Sequence, residues 1–160
     1  MSLKQQIDAD LKAALLAGQK DTAMTLRGLK SVILNEEVAK NLRDSGLPDT
    51  DIEQLFAREA KKRQESADLF TQGGNAEKAA AELTEKQIIE QYLPEQLDET
   101  TLNEIIEAKI AETGATSIAQ LGQVIGAVKA QAGTSADGAL VARLVREKLG
   151  GLENQTGGAQ

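Results

Sequence analysis

Apolar residues along this chain recur every three to four positions rather than alternating, which is the period of an amphipathic helix. Leu3, Ile7, Leu11 and Leu15 mark a first helix that Gly18 would close. A second starts near Asp21, carries Leu26, Leu29 and Ile33 on one face, and runs into the break at Ser45-Gly46-Leu47-Pro48. Thr50 and Glu53 have the spacing of a capping box. The third helix they open bears Ile52, Phe56, Ala60, Ala67 and Phe70 and ends at Gly73-Gly74. Asn75 is placed to cap a fourth through Leu83, Ile88, Ile89 and Tyr92, which stops because Leu93 precedes Pro94.

Beyond Pro94 the same logic continues. Asp98 caps a helix with Leu102, Ile105, Ile106 and Ile110, closed by Gly114. Ser117 with Gln120 caps another with Leu121, Val124, Ile125 and Val128, closed by Gly133. A last helix starts near Ser135 or Asp137 and shows Leu140, Val141, Leu144, Val145 and Leu149. No strand-like alternation and no internal repeat competes with these seven helices. The pattern predicts an all-α chain: an antiparallel four-helix bundle-like domain over 1–93, a small three-helix domain over 94–149, and a disordered polar tail over 150–160.

Composition narrows the chemistry. The chain has no cysteine and no histidine, so disulfides, thiolate metal sites, the commonest zinc ligand and the commonest general base are all missing. The aromatics are Phe56, Phe70 and Tyr92, which leaves a core of Leu, Ile, Val and Ala suited to helix packing. A net charge of -7 argues against a protein that coats nucleic acid nonspecifically, and no DNA is expected as a partner. No apolar run approaches the ~18 residues of a membrane helix and no leader pattern is seen, so a cytoplasmic location without membrane contact is expected.

Few constellations carry chemistry. The serines have no histidine and no serine-lysine setting, paired acids such as Glu36 and Glu37 splay apart on a helix, and no spaced acidic loop appears. No catalytic residue, metal site or cofactor is expected. Arg58, Lys61, Lys62 and Arg63 form the densest basic cluster, but only Arg58 and Lys62 share a face. Arg63 points into the stripe of Phe56 and Phe70, where pairing with Glu36 or Glu37 is expected. Gly122 and Gly126 each cost about 1 kcal/mol inside a helix, so either close packing or a ligand backbone should compensate. The stretch from Gly133 to Gly138 leads into a helix whose free N-H groups suit a phosphate, unless Asp137 caps them itself. Arg143 and Arg146, one turn apart, make a candidate phosphate-contact surface.

Five short segments, taken in order, resemble the GatB/YqeY family over residues 1 to about 149. They are Leu26-Arg27-Gly28-Leu29-Lys30-Ser31 with Asn35; Lys61-Lys62-Arg63-Gln64-Glu65-Ser66; Tyr92-Leu93-Pro94-Glu95-Gln96-Leu97; Gly122-Gln123-Val124-Ile125-Gly126; and Ala136-Asp137-Gly138-Ala139-Leu140-Val141. The resemblance implies a C-terminal domain similar to the tail of the B subunit of tRNA-dependent amidotransferases, which helps hold tRNA. It also implies tRNA and an amidotransferase or aminoacyl-tRNA synthetase as partners, with Gly122, Gly126, Asp137, Gly138 and Arg146 at the shared positions; with Arg143, which helical spacing sets beside Arg146, these are the candidate nucleic-acid-binding residues. Carbon-nitrogen ligase activity with glutamine as amido-N-donor goes with the complex rather than with this chain alone. The family often carries basic residues where this chain has Gln123, Thr134, Ser135 and Ala139. A protein-interaction module without RNA binding is the competing expectation.

Overall fold

The computed structural model describes residues 1–157, and the described residues form seven α-helices and no strand. They are α1 Leu3–Leu16, α2 Lys20–Ala39, α3 Asp49–Gln72, α4 Ala76–Glu90, α5 Glu99–Thr113, α6 Leu121–Ala132 and α7 Gly138–Gly157. Single 3₁₀ turns at Ile118–Gln120 and Gly133–Ser135 precede α6 and α7. The all-α expectation holds. Internal contacts divide the chain into the units Met1–Pro94 and Glu95–Gln160.

In the first unit, Ser2 and Gln5 cap α1 reciprocally: the Ser2 N-H donates to Gln5 Oε1 at 3.0 Å and the Gln5 N-H to Ser2 Oγ at 3.2 Å. The next free N-H, of Leu3, donates to Asp49 Oδ1 at 3.0 Å, far along the chain. Asp49 is the first residue of α3, which follows Pro48 with no side-chain cap, so the expected Thr50 and Glu53 capping box does not start this helix. Acidic Asp49 and Asp51 in its first turn favour the positive helix end instead. The stripe of α1 also shifts. Each four-residue step overshoots a helical turn by about 40°, which leaves Leu15 half exposed and puts Ala14 on the seam with Ile7.

Helix α2 buries Leu26, Leu29 and Ile33 as its spacing predicts, but it ends at Ala39, before the glycine-proline break. Asn41 takes a left-handed conformation (φ 55°), and the Leu42 N-H closes the end onto the Glu37 carbonyl at 2.8 Å. The following loop returns Leu47 to the core and sets its N-H 3.2 Å from Glu37 Oε1. Lys4 Nζ donates to the two oxygens of the same carboxylate at 2.7 and 3.0 Å. Glu37 is 1% exposed, and hydrogen bonding from Lys4, opposed by burial and aided by Leu47, holds its carboxyl below the usual carboxylate range.

Glu37 is therefore not the partner of Arg63, and neither is Glu36. Arg63 lies on the seam between α3 and α4, where Nη1 meets Glu59 Oε2 at 2.8 Å and Nε meets Glu85 Oε2 at 2.9 Å. Glu59 also accepts from Lys62 at 2.8 Å. Asn75 caps α4 by accepting the Lys78 N-H at 3.0 Å. Beyond α4, Tyr92 meets Phe56 edge to face (6.0 Å, 75°), and its hydroxyl donates to Asp10 Oδ2 at 2.7 Å. Burial and then the Asp10 carboxylate push the Tyr92 phenol well above its ordinary range.

In the second unit, Asp98 caps α5 on the Thr101 N-H at 2.7 Å, and Gly114 ends it at φ 67°. Gln120 folds back to accept the Thr116 N-H at 2.7 Å and the Ser117 N-H at 3.4 Å, forming the 3₁₀ turn that leads into α6. Leu102, Ile106, Val124, Val128, Val141, Leu144, Val145 and Leu149 build the core. The expected disorder from residue 150 is not found up to Gly157, because α7 continues through Gly150 and Gly151. Leu152 packs on the core, and Glu153 Oε1 accepts the Ile118 N-H at 2.9 Å. The remainder of the expected tail, 158–160, lies outside the described residues.

Two measurements follow from these contacts. Arg63→Ala should lower unfolding free energy by about 1 to 2 kcal/mol by leaving buried Glu59 with Lys62 alone and removing the partner of half-buried Glu85, whereas exposed Lys61→Ala should change it little; equal melting temperatures would reject this. Because the folded Glu37 carboxyl titrates below its ordinary value, its contribution is full above that value and is lost as pH falls through the lowered one. The melting-temperature gap between the natural chain and Glu37→Gln should then narrow as pH falls below the ordinary carboxyl value of 4.5.

Candidate nucleic-acid interface

Helix α6 turns Val124 and Val128 inward and leaves Gly122 and Gly126 exposed on the opposite side, one turn apart. A Cβ at either glycine would meet nothing within 4 Å. Close helix packing, the structural explanation expected for the pair, is therefore absent. What the glycines present is a strip of bare helical backbone facing open space, at about 1 kcal/mol each relative to alanine. Lys129, a turn beyond Gly126, is exposed as well.

Gly133 ends α6 at φ 55° and ψ -136°, a conformation only glycine adopts readily. The 3₁₀ turn that follows is held by Gln96 Nε2 on the Thr134 carbonyl and the Leu97 N-H on the Ser135 carbonyl, both at 2.8 Å. Asp137 then satisfies the start of α7 from within: its Oδ1 accepts the Ala139 N-H at 3.2 Å, and its carbonyl accepts the Val141 N-H at 3.0 Å. A carboxylate at that position repels phosphate, so the helix start is capped rather than open to an anion. At Gly138 an added Cβ would lie 3.3 Å from Lys129 Nζ, which places that ammonium beside the first turn of α7. The sequence did not single out this juxtaposition, since it depends on how the turn reverses the chain.

The two arginines of α7 differ. Arg143 is held by Glu147 at 3.1 Å and faces Glu99 at 3.7 Å. Such exposed pairs contribute little stability, but the two carboxylates offset the charge. Arg146 is exposed and makes no ion pair among the described residues. Lys148 turns away, to Glu107 of α5 at 2.6 Å. Of the predicted set, then, Gly122, Gly126 and Arg146 are open, Arg143 is half neutralised, Asp137 serves its own helix, and Gly138 borders Lys129.

Among the described residues no group of three or more His, Cys, Asp or Glu is arranged to hold a metal ion, and no helix is long and apolar enough to cross a membrane. No curated protein matches the chain. The family model described as Yqey-like protein matches residues 4–149, running through both units. The chain thus belongs to the YqeY-like family.

Proposed function

We propose that the chain is a non-catalytic accessory module that associates with tRNA in the cytoplasm, in support of a glutamine-dependent tRNA amidotransferase or an aminoacyl-tRNA synthetase. In this reading an antiparallel four-helix bundle-like domain carries a three-helix domain, and the latter contacts the RNA. The observation that carries the reading is the exposed pair Gly122 and Gly126, whose cost in helix stability no packing contact repays. Bare backbone there admits a sugar-phosphate chain closely, while Arg146 and Lys129 supply the cations. Any carbon-nitrogen ligase chemistry with glutamine as amide donor belongs to the partner.

Electrophoretic shifts with total tRNA at low salt test this. Binding should be weak, with log K falling against log salt at a slope of about -2, taking 0.7 to 0.9 per phosphate contact. Arg146→Glu should abolish the shift, and Arg143→Glu should weaken it less, because Glu147 and Glu99 already offset Arg143. Gly122→Ala with Gly126→Ala should raise stability by about 1 kcal/mol per site while weakening the shift. A shift unaffected by these changes but lost on Lys61→Glu with Lys62→Glu would move the site to α3 and reject the proposal. For the domain reading, a fragment of residues 1–94 should keep a helical circular dichroism spectrum and a cooperative melt; a random-coil spectrum would count against it.

A further inference from the structure

Helix α7 runs on through Gly150 and Gly151, and what lies beyond them is held by little. Over residues 150–157, Leu152 packs on the core, Glu153 Oε1 accepts the Ile118 N-H at 2.9 Å, and Asn154, Gln155 and Thr156 are exposed. Each glycine disfavours a helix about fivefold relative to alanine. Crowding demands neither of them: a Cβ on Gly151 would meet nothing within 4 Å, and one on Gly150 would make an ordinary contact with Ile118 Cδ1 at 3.8 Å. Two alanines would fit and fasten the segment, so the glycines leave it loosely attached. Its point of attachment is the entry to α6. Ile118 stands four residues before Gly122 and eight before Gly126, so the strip of bare backbone on α6 leads back to the N-H that Glu153 occupies.

We propose that residues 150–157 form an autoinhibitory arm: docked on Ile118, Glu153 sets a carboxylate at the start of the glycine strip, where it competes with the phosphate chain of a bound RNA. This rests on the RNA reading of α6 and concerns the regulation of that site. Four residues of helix advance about 6 Å, inside a Debye length at physiological salt, so a phosphate over Gly122 feels the carboxylate largely unscreened. Two unit charges at that distance in water repel enough to weaken binding about threefold. The docked carboxylate also holds the Ile118 N-H, a donor that a phosphate at that end of the strip would use. Tight binding therefore requires the arm to lift, and the apparent affinity falls in proportion to the fraction of molecules in which it is lifted. The double glycine keeps that fraction high enough for RNA to compete. Lifting at this hinge spares the core of the unit, because Leu149, the last buried residue of α7, precedes it.

Titration of the full chain with total tRNA at low salt, together with hydrogen exchange of the chain alone, tests the arm. Glu153→Gln keeps an acceptor for Ile118 but removes the charge, and it should tighten binding at least about threefold. Glu104→Gln, which neutralises an exposed acid of α5 without an ion pair among the described residues, should change it by less than about twofold. Gly150→Ala with Gly151→Ala alters no charge and favours the docked arm, so binding should weaken about tenfold or more. In the absence of RNA the same alanine pair should slow exchange of the Ile118 amide about tenfold, since Glu153 is its acceptor. Binding by the alanine pair as tight as that of the natural chain, a Glu153→Gln effect no larger than that of Glu104→Gln, or unchanged exchange at Ile118 would each overturn the arm and leave the RNA reading standing. No binding by either the natural chain or Glu153→Gln, or Glu153→Gln binding that survives Arg146→Glu, would overturn the RNA reading itself and the arm with it.

Discussion

A buried carboxylate must be satisfied from several directions at once, and Glu37 meets that demand by drawing three segments to itself. Lys4 reaches it from α1, Leu47 from the loop before α3, and its own backbone carbonyl closes the end of α2. Left without partners, such an ion would cost several kcal/mol, so α1, α2 and the loop can settle only in the arrangement that supplies them. Around this point Ile7, Leu26, Ile33, Ile52 and Phe56 fill the core. Tyr92 repeats the device at lower cost, burying its ring against Phe56 while its hydroxyl stays bonded to Asp10.

Among its described residues the second unit has no buried charge, and it relies on aliphatic packing with careful helix ends. Asp98, Gly114, the Gln120 turn and Gly133 terminate helices cleanly, and this keeps the surface of α6 and α7 fixed although its ion pairs are exposed and weak. In a chain this acidic, a cation counts for binding only where no carboxylate answers it. Arg146 differs from Arg143 in that respect, not in residue type.

Helix number and the buried stripes were legible in the sequence because period and caps are local properties. Asn75, Asp98 and Gly114 act where their spacing put them. Features that depend on which helix lies beside which were not. Arg63 was readable as a seam arginine, but its partners proved to be Glu59, one turn back on its own helix, and Glu85 on α4, and reading along one helix cannot identify the second. Thr50 and Glu53 had the right spacing for a box, yet Pro48 and Asp49 began the helix earlier. The double glycine after Leu149 read as a stop, and only Leu152 and Glu153, gripping distant residues, carry α7 past it. In the candidate site, the glycine pair and Arg146 were visible as residue types. The emptiness around the glycines and the neutralisation of Arg143 appear only in three dimensions.

The Asp49 carboxylate that closes the first turn of α1 has a kinetic meaning. A helix of 14 residues is marginal alone, and α1 borrows both a cap and a charge partner from later in the chain. The docking of α2 and α3, which supply those partners, therefore adds to the protection of its backbone amides. In hydrogen exchange it would behave as a separate cooperative block whose protection is set by contacts outside itself.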